Sequence, residues 1–103
     1  MTLEDFKKLI KTLKIPSAYG VFKKQQTTPY ILYYRDSNAS VNADDSTYYS
    51  AKHIILELYS KDKDITSETA IEKLLTDNDI PYEVDEDYFP DEKLRRTTYY
   101  FYI

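Results

Sequence analysis

Only one histidine, His53, occurs in the 103 residues, and there is no cysteine. Those two facts remove much of the chemistry that side chains usually perform. A thiolate nucleophile, a disulfide and a Cys-based zinc site are excluded, and so is a site built from several imidazoles. His53 lies in an apolar, strand-like stretch, and no Ser-His-Asp arrangement assembles around it. It is read as structural or solvated. Acids recur in pairs at Asp44-Asp45, Asp62/Asp64, Asp77/Asp79 and Asp85/Asp87. A calcium loop needs a fixed ligand spacing around a central glycine, and none of these segments has one. They are read as solvated surface. Pro90-Asp91 and Lys93 resemble the start of a metal-dependent nuclease pattern, but no acid-x-Lys strand follows. Lys63, Glu72 and Lys73 are read as decorating a solvated helix or loop. Gly20 is the only glycine, which excludes Gly-rich phosphate loops, nucleotide fingerprints and Asn-Gly hairpins. No catalytic residue, metal or cofactor is expected. The chain reads as a protein that binds other proteins.

Charge narrows the partners. The formal net charge is −4, with acids concentrated between Glu83 and Glu92. Phosphate backbones attract concentrated positive charge, and no basic stripe is present. Arg95 and Arg96 do precede the aromatic run Tyr99–Tyr102, a combination able to stack bases. The acidic total and a simpler role in a sheet argue against it, so no direct nucleic-acid partner is expected. Met1 to Lys14 alternates apolar and charged residues without an unbroken apolar run. It reads as neither a secretory signal nor a membrane span. The absence of cysteine fits a reducing, cytosolic place of synthesis. Twelve tyrosines stand beside no tryptophan. Tyrosine suits half-buried strand faces and is also enriched at protein interfaces, so both roles are open.

The elements that would position these residues follow from periodicity. A single domain, residues 1–103, is expected, burying about 65% of the surface of its unfolded chain. Leu3, Phe6, Leu9, Ile10 and Leu13 form a helical stripe over residues 3–14, capped by Thr2 with Asp5 three residues on, and stopped by Pro16. Tyr19, Val21 and Phe22 read as a short strand, followed by a polar loop. Tyr30 to Arg35 is a compact strand, and Tyr48 to Ser60 a longer one. In the latter, Ile54, Leu56 and Leu58 face one way, and His53, Ile55, Glu57 and Tyr59 the other. Thr66 or Ser67 caps a second helix whose apolar face is Ala70, Ile71, Leu74 and Leu75, with Asn78 and Pro81 at its end. Tyr82 to Asp87 reads as a strand, Tyr88 to Asp91 as a turn, and Leu94 to Ile103 as the last strand. Alternation there puts Tyr99, Phe101 and Ile103 on one face, and Thr98, Tyr100 and Tyr102 on the other. The expected fold is α+β: two helices on one face of a mainly antiparallel sheet of four to five strands, in the order α-β(β)β-α-β-β. Both helices run into Ile-Pro, which hints at two similar halves without proving a repeat.

Interface candidates come from the polar stretch 36–47 and the C-terminal third. Loops of that length in small domains are often functional. From it Asp36, Ser37, Asn38, Asn42, Ala43, Asp44 and Asp45 are taken; from the last third, Tyr88, Phe89, Arg95, Arg96, Tyr100 and Tyr102. If the last strand lies at a sheet edge, its unpaired backbone can template another chain.

Several strings then look familiar. They are Pro29-Tyr30-Ile31-Leu32-Tyr33-Tyr34, Asn42-Ala43-Asp44, Tyr48-Tyr49, Glu57-Leu58-Tyr59-Ser60-Lys61-Asp62-Lys63-Asp64, Glu72-Lys73-Leu74-Leu75 and the closing aromatic strand. Together they resemble a family of small tail-completion, or neck, proteins of siphophages and prophages of Gram-positive bacteria. Such proteins also begin with a Leu/Phe-rich helix ending near a proline, as residues 3–16 do here. The resemblance spans nearly the whole chain, through structural strings rather than catalytic signatures. It implies a structural subunit made in the bacterial cytoplasm, monomeric when free, that forms a ring (expected as a hexamer) on the tail tube. Its partners would be its own copies, the tail tube protein and the head-completion or connector proteins. The family's Ala-Asp pair falls on Ala43 and Asp44. The rival expectation is a small acidic phage-encoded regulator or inhibitor, whose charge field imitates phosphate and blocks a host protein. That version requires acids clustered on one face, whereas the sequence scatters them.

Overall fold

The computed structural model describes residues 1–36 and 52–103. Its elements are α1 (Leu3–Lys11), β1 (Ser17–Tyr19), β2 (Tyr30–Arg35), β3 (His53–Ser60), α2 (Ile65–Asp77), β4 (Tyr82–Phe89) and β5 (Leu94–Tyr102). The five strands form one sheet in the order β1-β2-β3-β5-β4. The short β1 pairs parallel to β2, and every other pair is antiparallel. This is the α+β fold that the periodicity predicts.

Local chemistry explains where the helices begin and end. Thr2 and Asp5 form a reciprocal capping box: the Asp5 N–H donates to the Thr2 hydroxyl and the Thr2 N–H to the Asp5 carboxylate. Hydrogen bonding to Thr2, through its side chain first and its N–H second, holds the Asp5 carboxyl below its ordinary pKa. α1 ends at Lys11, a turn earlier than the stripe suggests, and Lys14 then takes a left-handed φ of 60°. The second cap corrects the sequence expectation. Asp64, and neither Thr66 nor Ser67, caps α2, its carboxylate accepting from the Ser67 N–H at 3.0 Å and the Ser67 hydroxyl at 2.7 Å. At the other end, the Asp79 N–H donates to the Thr76 carbonyl and the Ile80 N–H to the Leu75 carbonyl. With Asp79 at φ 57°, this is a Schellman closure, and it buries Ile80.

Strand alternation supplies the core. Ile54, Leu56 and Leu58 of β3 lie opposite Phe101, Tyr99 and Thr97 of β5, and all six are buried. Ile31 and Tyr33 of β2 extend that surface. α1 covers its β2 side, where the Phe6 ring stands edge-on to Tyr33 and 5.3 Å from Phe101. α2 covers β5, placing Ile71, Leu74 and Leu75 in the same core. β3 and β4 are both antiparallel to β5, so α2 bridges two parallel strands with β5 inserted between them.

Three strand boundaries depart from the sequence reading. β1 is Ser17–Tyr19, and Val21 and Phe22 fall outside it. β4 runs on through Tyr88 and Phe89, so the turn is Pro90 to Lys93, closed by the Lys93 N–H on the Pro90 carbonyl. β3 begins at His53, and residues 48–51 of the expected strand lie outside the described residues. The Thr28–Pro29 peptide is cis.

Two substitutions check this account. Leu56→Ala is expected to destabilise by about 2–5 kcal/mol through cavity formation. Asp64→Ala should cost about 1 kcal/mol through loss of the cap. Urea unfolding followed by circular dichroism measures both, and a loss from Leu56→Ala no larger than that from Asp64→Ala would contradict the core assignment.

Candidate interaction surface

The helices cover one face of the sheet, and the opposite face carries aromatic and charged side chains in cross-strand rows. One row is Tyr30, Tyr59, Arg96 and Asp87; the next is Leu32, Glu57, Thr98 and Asp85; a third is Tyr34, Ile55, Tyr100 and Glu83. At the centre, Glu57 is only 9% exposed. A carboxylate desolvated to that degree needs partners. It accepts from the Tyr59 hydroxyl at 2.9 Å and the Tyr34 hydroxyl at 3.3 Å, and Arg96 Nη1 stands 3.9 Å away. Arg96 in turn donates to Asp87 at 3.1 Å and lies over the Phe89 ring. Tyr30 stacks on Tyr59 with centroids 5.0 Å apart. Burial and the bond to Glu57 push the Tyr59 hydroxyl up to about 12, and burial followed by the Glu57 charge raises Tyr34.

The helix side holds a second set of charges. Tyr99 is fully buried and donates to Glu72 at 2.9 Å, and Thr97 donates to Glu68 at 3.3 Å. Burial, followed by the Glu72 bond, drives the Tyr99 hydroxyl far above its ordinary value. Lys63 bridges Glu68 at 2.9 Å and Glu86 at 3.0 Å, and the Lys63 bond holds the Glu86 carboxyl below its usual range. Glu72 and Lys63 are therefore structural ties rather than solvated decoration, and Asp64 is a helix cap.

The interface candidates separate on this frame. Arg95 and Arg96 point to opposite faces: Arg95 toward Glu86 and the Tyr88 ring on the helix side, Arg96 toward Asp87 and Phe89 on the open side. Tyr88 and Phe89 belong to strand β4 rather than a turn, and each stacks with one of these arginines. Tyr100 and Tyr102 flank His53 on the open face. The Asp36 N–H donates to the His53 carbonyl at 2.8 Å, and its carboxylate lies 3.4 Å from the His53 ring. Ser37, Asn38, Asn42, Ala43, Asp44 and Asp45 lie outside the described residues.

The condition for templating by the last strand is not met: β5 is not an edge strand, because β3 and β4 pair with it on either side. The edges are β1 and β4. Alternation along β3 had already set Glu57 and Tyr59 on a common face, but nothing in the sequence pointed to their meeting Tyr34 from β2 and Arg96 from β5.

Among the described residues, no three His, Asp or Glu side chains stand where they would hold a metal ion. No described helix is long and apolar enough to cross a membrane. No protein-family model matches the chain, and no curated protein and no solved structure is significantly similar to it.

The raised tyrosines carry a pH dependence. A hydroxyl whose pKa is higher in the folded state stabilises the fold fully below its unfolded value, about 10, and loses that contribution as pH rises through the folded value. Stability in urea is therefore expected to hold from neutral pH to about 10 and to fall as Tyr59 approaches ionisation at about 12. Tyr59→Phe should cost about 1 kcal/mol at neutral pH and make the alkaline fall shallower. An unchanged alkaline slope would remove Tyr59 from this account.

Proposed function

We propose that this chain is a structural subunit of the head-tail joint of a siphophage or prophage particle, a tail-completion protein that caps the tail tube as a ring and connects it to the head. The observation that carries the reading is a two-layer domain whose two edge strands, β1 and β4, are each bonded on one side only among the described strands. A ring subunit needs a stable small core together with surfaces that neighbouring chains can occupy, and that arrangement provides both.

Four of the six strings behind the resemblance fall on elements that build this frame, and Asn42-Ala43-Asp44 and Tyr48-Tyr49 lie outside the described residues. Tyr30 to Tyr34 lies within β2, residues 57–64 carry the end of β3 into the Asp64 cap, Glu72 to Leu75 lies in α2, and the aromatic strand is β5. Partners in this reading are other copies of the chain, the tail tube protein and the connector on the head side. The protein works by association and is not an enzyme. It takes no cofactor, contacts neither nucleic acid nor membrane, and passes from the bacterial cytoplasm into the virion neck.

A second reading has one observation in its favour. β4 gathers Glu83, Asp85, Glu86 and Asp87 along one strand, the kind of acidic field a regulator would use to imitate phosphate. Lys63, Arg95 and Arg96 neutralise Glu86 and Asp87 locally, which weakens that field.

Deletion of the gene from an inducible prophage, with negative-stain electron microscopy of the lysate, distinguishes the two. The expected result is filled heads beside separate, overlong tails. Normal intact particles would remove the neck role and leave the regulator reading.

A further inference from the structure

Charge is divided across the sheet. Residues 1–29, which include β1, carry Lys7, Lys8, Lys11, Lys14, Lys23 and Lys24 against Glu4 and Asp5. Among the described residues none of these six lysines makes an ion pair. At the far edge, residues 82–92 hold six acids and no lysine or arginine. Glu83 and Asp85 point to the open face without a cationic partner. α1 lies on the β2 side, shown by Phe6 against Tyr33, so its exposed lysines add to the basic edge.

The backbone matches this division. β4 is bonded only to β5 and β1 only to β2 among the described strands, so each presents an outer edge. On β1 that edge is Ser17 and Tyr19, and the Tyr19 carbonyl already accepts from the Val21 N–H at 2.9 Å. Counting directions along the sheet, β1 runs antiparallel to β4. A rotation axis along the strands therefore brings β4 of one copy antiparallel to β1 of the next. Pairing β4 with a second β4 would set Glu83, Asp85 and Asp87 against their own kind, which is repulsive. Pairing β1 with β1 opposes lysine-rich surfaces in the same way. Only the unlike edges attract.

We propose that copies of this chain associate head-to-tail, the acidic β4 edge of one against the basic β1 edge of the next, with Lys23 and Lys24 near the neighbour's Asp85 and Asp87. This specifies the contact within the ring proposed above and rests on that reading for its biological setting. A head-to-tail contact either closes a ring or propagates a filament. β1 has only three residues, so few hydrogen bonds form and the association is weak and salt-sensitive.

The natural absence of cysteine allows a clean test. Ala18→Cys marks the β1 edge and Glu83→Cys the β4 edge, both on the face opposite the helices and outside the proposed lysine contacts. A bismaleimide spanning about 10 Å, the rise of roughly three strand residues, is added to concentrated protein at about 0.01 M ionic strength, where charges act over about 30 Å. The mixture of the two variants should cross-link to a dimer, and neither variant alone should. A chain carrying both cysteines should give a ladder ending at the ring size.

The yield should fall about tenfold at 1 M salt, where the screening length is about 3 Å. The mixture made with Lys23→Glu and Lys24→Glu in the Ala18→Cys partner should lose a similar share, with circular dichroism confirming its fold. Cross-linking of the Glu83→Cys variant with itself, a yield indifferent to salt, or no cross-link in the low-salt mixture would each overturn the proposal. Because these readouts use purified protein, they stand apart from the particle phenotype. Intact particles after gene deletion would remove the neck role and leave a cross-linked ladder standing.

Discussion

The antiparallel pairing of β3 with β5 is the constraint from which the rest of the molecule follows. It sets Ile54 against Phe101, Leu56 against Tyr99 and Leu58 against Thr97, making one continuous apolar strip at the centre of the sheet. A strip this wide is stable only if something excludes water from it, since the driving force scales with apolar area buried. The two helices do so from one side. Phe6 reaches across to both Tyr33 and Phe101, which ties α1 to β2 and β5 at once. Once the helices occupy that face, the other face is free to carry polar groups, and the strand register decides which of them meet.

Tyrosine and carboxylate are used together on both faces. A tyrosine ring contributes apolar area, but its hydroxyl needs an acceptor when buried. Glu72 meets that need for Tyr99 beneath α2, and Glu57 meets it for Tyr34 and Tyr59 on the open side. Cations stand beside carboxylates on both faces: Lys63 beside Glu68, and Arg96 between Glu57 and Asp87. Three of the twelve tyrosines thus have a carboxylate acceptor: for Tyr34 on the neighbouring strand, for Tyr59 two residues back on its own strand, and for Tyr99 on α2. Tyr19, Tyr88 and Tyr102 are about half exposed, and they lie toward the margins of the sheet.

The same register disperses the basic groups of the last strand. Adjacent strand residues point to opposite faces, so Arg95 and Arg96 cannot form one positive patch. Each is taken up by the acid on β4 that its own face presents, Glu86 for one and Asp87 for the other. Among the described residues, what remains uncompensated is the acidic margin beyond them and the lysines on the opposite side. Those residues are electrically lopsided even though the net charge of the chain is only −4.

Local rules were legible in the sequence wherever neighbours along the chain set the outcome. The stripe from Leu3 to Leu13, the Thr2-Asp5 box, the two faces of β3 and the alternation of Tyr99 and Phe101 with Tyr100 and Tyr102 depend on a period or a three-residue reach. The composition bounded the chemistry for the same reason: a residue type that is absent cannot act. Strand order was not legible, because a strand's partner is selected by apolar faces far apart in sequence. α2 carries the chain across β5, so the last strand lies inside the sheet and acid-rich β4 takes the edge. Glu57, Tyr34, Tyr59 and Arg96 come from three strands, and only the tertiary register could bring Tyr34 and Arg96 to the Glu57–Tyr59 pair. The cap of α2 fell to Asp64 rather than Thr66 or Ser67 because its carboxylate can hold both the Ser67 N–H and hydroxyl, a geometry settled by where β3 releases the chain.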